Sequence, residues 1–291
     1  MEKRLFIPGS EWLYFKLYCG NKTADAILTD NILPLVDRLL SEGWIDKWFF
    51  IRYSDPEFHI RFRLHVPKVE NYGQVFAALY PVLEKLVEHS SLSKVMCDSY
   101  NRELERYGES RYRDTETLFY ADSACILQIL RALKESPDSD LERWPTALQL
   151  IDDMLNGFGL TAHEKRDFMF SQSEGFKKEF GYVSIPFVRQ LNDKYRENRQ
   201  QIESVFSETD NNFSEKINHL FSERREKIEK LRFQMFSTSL GDKAECYGYL
   251  SSAIHMTMNR LFYSSNRMYE MVIYDFIYRQ YKSQIARANK N

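Results

Sequence analysis

Apolar and polar residues alternate through Trp12-Leu13-Tyr14-Phe15-Lys16-Leu17-Tyr18, and a period of two is the mark of a strand. Leu13, Phe15 and Leu17 form one face; Trp12, Tyr14, Lys16 and Tyr18 form the other. From Thr23 to about Glu42 the period lengthens. Leu28, Ile32, Leu35, Leu39 and Leu40 make a helical stripe that Gly43 closes. Trp48–Ser54 and Phe58–Val66 read as a second and a third strand on either side of an Asp55-Pro56 turn. A second helix is expected from about Val69 to Glu88, in spite of Pro81, and a fourth strand from Lys94 to Arg102.

This order predicts an α+β fold with the split β-α-β-β-α-β pattern of ferredoxin-like sheets. The first and third strands are then central neighbours, both helices cover one face, and the other face is open. From about Asp114 the pattern is helical, with candidates at Asp114–Glu135, Leu141–Leu155, Thr161–Phe176, Pro186–Phe206, Asn212–Ser237 and Asp242–Gln284. The expected division is therefore 1–112, the ferredoxin-like region, and 113–291, a mainly helical region that covers or flanks the open sheet face.

The third strand carries the most informative polar pattern. Phe58, Ile60, Phe62 and Leu64 share one face, while His59, Arg61, Arg63 and His65 share the other. Cationic groups in a row are costly unless something negative or wet lies opposite, so this face is a candidate anion site. Planar guanidinium forks suit carboxylates; the plainer reading is solvated arginines on an exposed sheet. Tyr14 and Lys16 line the same open face and, with His59, are candidate substrate-binding positions. Glu103 and Arg106 lie three apart, the spacing of a local ion pair. In a helix over Ser252–Leu261, His255 and Asn259 stand one turn apart. His255 is a candidate proton-transfer group, because imidazole titrates near neutral pH, and Asn259 a candidate substrate contact. A lone helical histidine is more commonly a satisfied structural residue.

Composition narrows the classes. A net charge of −2 over 291 residues lacks the basic footprint of a dedicated nucleic-acid binder. The four cysteines are scattered without a Cys-x-x-Cys pair, which fits free thiols in a reducing cytoplasm. No window approaches the ~20 apolar residues of a membrane span. Glycine-rich phosphate loops, Gly-x-Ser-x-Gly and His-Glu-x-x-His are absent, so neither a nucleotide cofactor nor a metal is expected.

Several blocks occur in an order that resembles the stand-alone form of the lantibiotic dehydratase C-terminal (elimination) domain, the thiopeptide-type bacteriocin biosynthesis family. They are Pro8-Gly9-Ser10-Glu11-Trp12-Leu13-Tyr14, Trp48 to Pro56 with His59-Ile60-Arg61-Phe62-Arg63, and Tyr100 with Glu103-Leu104-Glu105-Arg106-Tyr107-Gly108. Phe119-Tyr120-Ala121-Asp122-Ser123 and His255-Met256 with Asn259-Arg260-Leu261 follow. Residues 136–240 match only as generic helix. The resemblance implies a lyase in the biosynthesis of a ribosomal peptide. A separate glutamyl-tRNA-dependent enzyme esterifies Ser or Thr of the precursor, and the elimination domain removes glutamate to leave dehydroalanine or dehydrobutyrine. It places the family's catalytic set on Arg61, Arg63, Glu103, Arg106 and His255, with the arginines stabilising glutamyl and enolate charge. The implied partners are the glutamylated peptide and the glutamylating enzyme, with no direct nucleic acid and no membrane; a homodimer is left open. Some relatives are instead pyridine synthases that join two dehydroalanines by formal cycloaddition. Other readings are a non-catalytic peptide- or RNA-binding module and a scaffold for the partner enzyme.

Overall fold

The alternating segment forms strand β2 (Trp12–Tyr18), preceded by a two-residue strand β1 (Leu5–Phe6) that the pattern does not announce. The computed structural model describes residues 2–134, 139–182, 184–207, 213–236 and 243–290. The first helical stretch has three parts: α1 (Thr23–Ala26), a π-helical segment (Ile27–Ile32) and α2 (Leu33–Ser41). Pro34, which has no N–H to donate, falls at the start of α2. Gly43 has φ +66°, and the Trp44 N–H reaches the Leu39 carbonyl at 3.1 Å, so the helix ends in a turn that favours glycine.

Strands β3 (Lys47–Ser54) and β4 (Phe58–His65) form the expected hairpin, and α3 (Tyr72–Glu88) accommodates Pro81 in its interior. The expected fourth strand divides. β5 (Lys94–Asp98) joins the main sheet, whereas β6 (Tyr100–Asn101) pairs with β1. The main sheet is antiparallel in the order β3-β4-β2-β5, which puts the alternating segment and the arginine strand side by side at its centre. Short helix α4 (Leu104–Tyr107) leads to α5 (Tyr112–Leu133), which packs against β3.

The chain divides into two compact units, Met1–Lys134 with Asn259–Ser264, and Glu135–Met258 with Ser265–Asn291. Helix α5, placed by the sequence pattern beyond residue 112, thus belongs with the sheet. In the first unit, Leu13, Leu17, Leu28, Leu39, Phe62 and Leu64 are fully buried. Edge strand β3 is closed by side chains instead of another strand. The Asn259 amide accepts from the Arg52 N–H and donates to the Arg52 carbonyl, both at 2.8 Å. Arg260 Nε donates to the Phe50 carbonyl at 3.0 Å, and the Phe50 N–H reaches Ser123 Oγ at 3.3 Å. Each bond satisfies a backbone group that an unpaired edge leaves open.

The second unit contains α6 (Ser139–Gly157), α7 (Ala162–Glu179), α8 (Ile185–Glu197), α9 (Arg199–Val205), α10 (Glu215–Met235), most of α11 (Lys243–Leu261) and α12 (Asn266–Ala288). Two expected helices are each broken in two. The segment from Pro186 breaks at Asn198, and the last one breaks before Ser265, whose φ of +51° is left-handed. Helix α7 starts at a capping box in which Thr161 and Glu164 satisfy each other's backbone. The expected helix ends at Glu135, Asn212, Ser237 and Asp242 lie outside the described residues.

Candidate active site

Strand register decides which polar side chains share a surface. Tyr14 stands opposite Arg63 and Lys16 opposite Arg61; Phe49 and Ile51 flank the same arginines from β3, and Asp98 pairs with Tyr14 from β5. Directly paired residues project to one face, so Tyr14, Lys16, His59, Arg61 and Arg63 meet there.

Arg63 is the more buried of the two arginines, at 7% exposure. Its guanidinium carbon lies 4.4 Å from the Tyr14 ring centre, 4.8 Å from that of Tyr100 and 5.1 Å from that of Phe49. Its Nε has no hydrogen-bond partner, and among the described residues no carboxylate pairs with it. Aromatic faces each offset about 0.5–2 kcal/mol, against several for taking an ion out of water. The guanidinium is therefore held where an anion gains most from meeting it.

Arg61 stacks on Tyr53 at 3.4 Å from the ring centre, and its Nε faces His59 Nε2 at 3.4 Å. His59 Nδ1 lies 2.9 Å from the Glu57 carbonyl, so the imidazole donates there and accepts from Arg61. Burial pushes the His59 pKa down, which favours this neutral form. Lys16 pairs with Asp98 at 2.6 Å, and this bond, more than any other interaction, holds the Asp98 carboxyl below its usual range against burial. Burial pushes the Tyr14 phenol up, opposed by the nearby Arg63 and Arg61 charges.

Glu103 and Arg106 form a surface pair at 3.4 Å, with side chains 61% and 40% exposed. Such a pair contributes little to stability. It is tied to the arginine cage through two tyrosines. The Glu103 N–H donates to the Tyr112 hydroxyl at 3.0 Å, which lies 3.5 Å from the hydroxyl of Tyr100. Behind them Arg102 and Glu116 make a buried two-bond pair, at 2.7 and 2.5 Å, that nothing in the sequence pattern singled out. Breaking one half of such a pair is expected to destabilise by about 3–5 kcal/mol. Glu116→Ala should accordingly lower the urea midpoint sharply, while replacing both partners by apolar residues of similar size should recover most of the loss.

His255 belongs to the second unit. Its Nδ1 is 2.8 Å from Glu270 Oε1, and Glu270 is fully buried while the His255 side chain is 24% exposed. Tyr274 Oη and Arg267 Nη1 lie 3.5 and 3.7 Å from the other Glu270 oxygen. A carboxylate on Nδ1 fixes the ring and its tautomer and leaves Nε2 as the nitrogen that can accept. The sequence reading missed Glu270. Its signal is a carboxylate three, four and seven residues before Ile273, Tyr274 and Ile277, on a buried stripe of α12. Asn259, expected to contact substrate, has both ends of its amide on the Arg52 backbone. Among the described residues no three His, Cys, Asp or Glu gather as a metal site, and no helix is long and apolar enough to cross a membrane.

The family described as Lantibiotic biosynthesis dehydratase C-term matches residues 12–281. The chain belongs to this family. Subtilin biosynthesis protein SpaB of Bacillus subtilis is 25% identical over 262 residues, 89% of this chain and 24% of SpaB. Nisin biosynthesis protein NisB of Lactococcus lactis subsp. lactis is 25% identical over 290 residues, 98% of this chain and 27% of NisB. The chain thus spans about a quarter of the length of these curated relatives. In fold it is similar to the tRNA-dependent lantibiotic dehydratase MibB from Microbispora sp. 107891, with TM-score 0.77 at 20% identity over 97% of this chain and 29% of MibB. It is also similar to TbtD, the pyridine synthase from thiomuracin biosynthesis, with TM-score 0.60 at 13% identity over 94% of this chain and 99% of TbtD.

Proposed function

We propose that this lantibiotic dehydratase C-terminal protein is a glutamate-eliminating lyase. It converts glutamylated Ser and Thr of a ribosomal precursor peptide to dehydroalanine and dehydrobutyrine. Arg63 carries the reading: a buried cation without a carboxylate partner, beside Arg61 and Lys16 on one sheet face, suits a substrate that brings its own carboxylates. We also read the four-stranded sheet as ferredoxin-like, since its first and third strands are central.

In this reading His255 Nε2 takes the Cα proton. The electron pair forms the Cα–Cβ double bond, the Cβ–O bond breaks, and its pair leaves on the glutamate carboxylate. Glu270 holds the imidazole in the accepting tautomer and steadies the imidazolium that forms. Arg61 and Arg63 stabilise the enolate-like oxygen and the departing carboxylate; always protonated, they are poor bases. Glu103 and Arg106 add to the same field. Tyr14, Lys16 and His59 line the surface on which the glutamyl group lies, and Asn259 stays with the strand edge. A glutamyl-tRNA-dependent activity supplies the ester, in the cytoplasm.

The test offers the purified protein a synthetic peptide with a glutamyl ester on serine, and in parallel a leader-bearing peptide with two dehydroalanines. Mass spectrometry is expected to show loss of one glutamate from the first and no change in the second. The end-to-end match to TbtD favours a second reading, pyridine synthesis. Ring formation with release of the leader, and no loss of glutamate, would establish it and end the first.

A further inference from the structure

Strand β5 is an edge of the main sheet: β2 pairs with its inner side, and among the described residues no strand pairs with its outer side. Such an edge presents a row of open N–H and C=O groups, a template for another strand. Val95 and Cys97 stand opposite Leu17 and Phe15, on the side of helix α3; Lys94, Met96 and Asp98 stand opposite Tyr18, Lys16 and Tyr14, on the polar face. Helix α3 leaves this rim uncovered. Cys97 is exposed, and Tyr72 lies close to it. Phe76 stacks on Tyr72 and meets Phe15 edge-on, so these two rings mark the β5 side of the helix. Tyr80 and Val87, four and eleven residues beyond Phe76, continue along that side. Phe76, Tyr80 and Val87 are all exposed, and this apolar stripe adjoins the open edge on one surface of the first unit.

We infer that this surface is a two-fold interface with a second copy of the chain, in which the two β5 strands join both main sheets into one. Charges on a short edge strand commonly resist pairing. Those of β5 resist most strands but are complementary to another β5. In an antiparallel pair centred on Met96, Lys94 of each copy faces Asp98 of the other, and Val95 faces Cys97. Moving the centre by one residue in either direction removes both charge pairs. The charges are within reach: Lys94 is exposed, its Nζ lies over the Tyr18 ring at 5.0 Å, and the Asp98 side chain, which also holds Lys16, is 39% exposed. The two-fold axis passes between the two Met96 residues, perpendicular to the sheet. Both α3 helices then lie on the same side and turn their exposed stripes toward the seam. The interface does not depend on the elimination reading.

Sedimentation equilibrium of the full chain across the micromolar range tests it. The mass should approach twice that of one chain and fall on dilution. Lys94→Asp sets carboxylates against each other at both ends of the seam, and Asp98→Lys sets ammonium groups against each other. Each should weaken the dimer about tenfold or more. Mixed in equal amounts, the two variants should recover the dimer, because every opposed pair is again a cation and an anion. Tyr80→Asp, on the exposed stripe, should weaken it as well. Met96→Cys in a Cys97→Ser background should give a disulfide-linked dimer under mild oxidation, since directly opposed strand residues lie within reach of that bond. This crosslink serves if Asp98→Lys, which also loses the Lys16 pair, does not fold. A chain that stays monomeric throughout would overturn the inference and leave the face to a different protein. A dimer that Lys94→Asp leaves intact, or no linkage through Met96→Cys, would overturn it too and put the contact elsewhere.

Discussion

Arg63→Met should slow elimination about 10²–10³-fold without unfolding the protein. The substitution removes the guanidinium that lies among Tyr14, Tyr100 and Phe49 and keeps an unbranched apolar stem. Loss of one preorganised charge at a developing oxyanion typically lowers the rate about 10²–10³-fold, or roughly 3–4 kcal/mol. Stability should move the other way. A buried guanidinium without a carboxylate is an uncompensated desolvation, and an apolar replacement of similar volume is often neutral or stabilising by about 1–4 kcal/mol. Urea unfolding and mass spectrometry of a glutamylated peptide read the two effects on one sample. Arg63→Lys keeps the charge but not the planar fork, and its rate should fall between the two. An Arg63→Met protein that eliminates normally would remove the assignment. One that loses several kcal/mol of stability would mark Arg63 as a packing residue.

Glu270→Gln should cost nearly as much activity as loss of His255 itself. A positioned general base is typically worth about 10²–10⁴-fold, and it works only in the tautomer with Nε2 free. Glutamine at 270 can present its amide N–H to Nδ1, so the ring can settle with its proton on Nε2, where it cannot accept. The buried position of Glu270, within 2.8 Å of the ring, makes this substitution close to isosteric. We expect kcat to fall about 10²-fold or more with KM for the glutamylated peptide unchanged. Glu270→Asp, which retains the carboxylate, should recover part of the rate. A stability loss that accounts for the missing activity, or a change confined to KM, would show that Glu270 only packs the α12 stripe.

The elements were legible where one period persisted. Trp12–Tyr18 and Phe58–His65 alternate without interruption, and both are strands with the expected faces. The Gly43 stop was legible because few other residues take its backbone angle. Breaks inside long helical patterns were not. Asn198 and Ser265 interrupt segments whose polar and apolar spacing continues across them. Division of the fourth strand at Ser99 was equally hidden, since β6 pairs with β1, a two-residue strand too short to show a period.

Of the candidate site, the chain order alone determined that Arg61 and Arg63 share a face and that His255 lies one helical turn before Asn259, because both relations follow from the repeat of a single element. Only tertiary structure decided that Arg63 is buried in an aromatic cage while Arg106 is half exposed, that Asn259 closes the β3 edge, and that Glu270 backs His255. Those outcomes depend on partners distant in the chain, 207 residues apart for Asn259 and Arg52 and 15 for His255 and Glu270. A repeat within one strand or helix carries no information about which distant segment will fold against it, so burial and partnership emerge only when the elements pack.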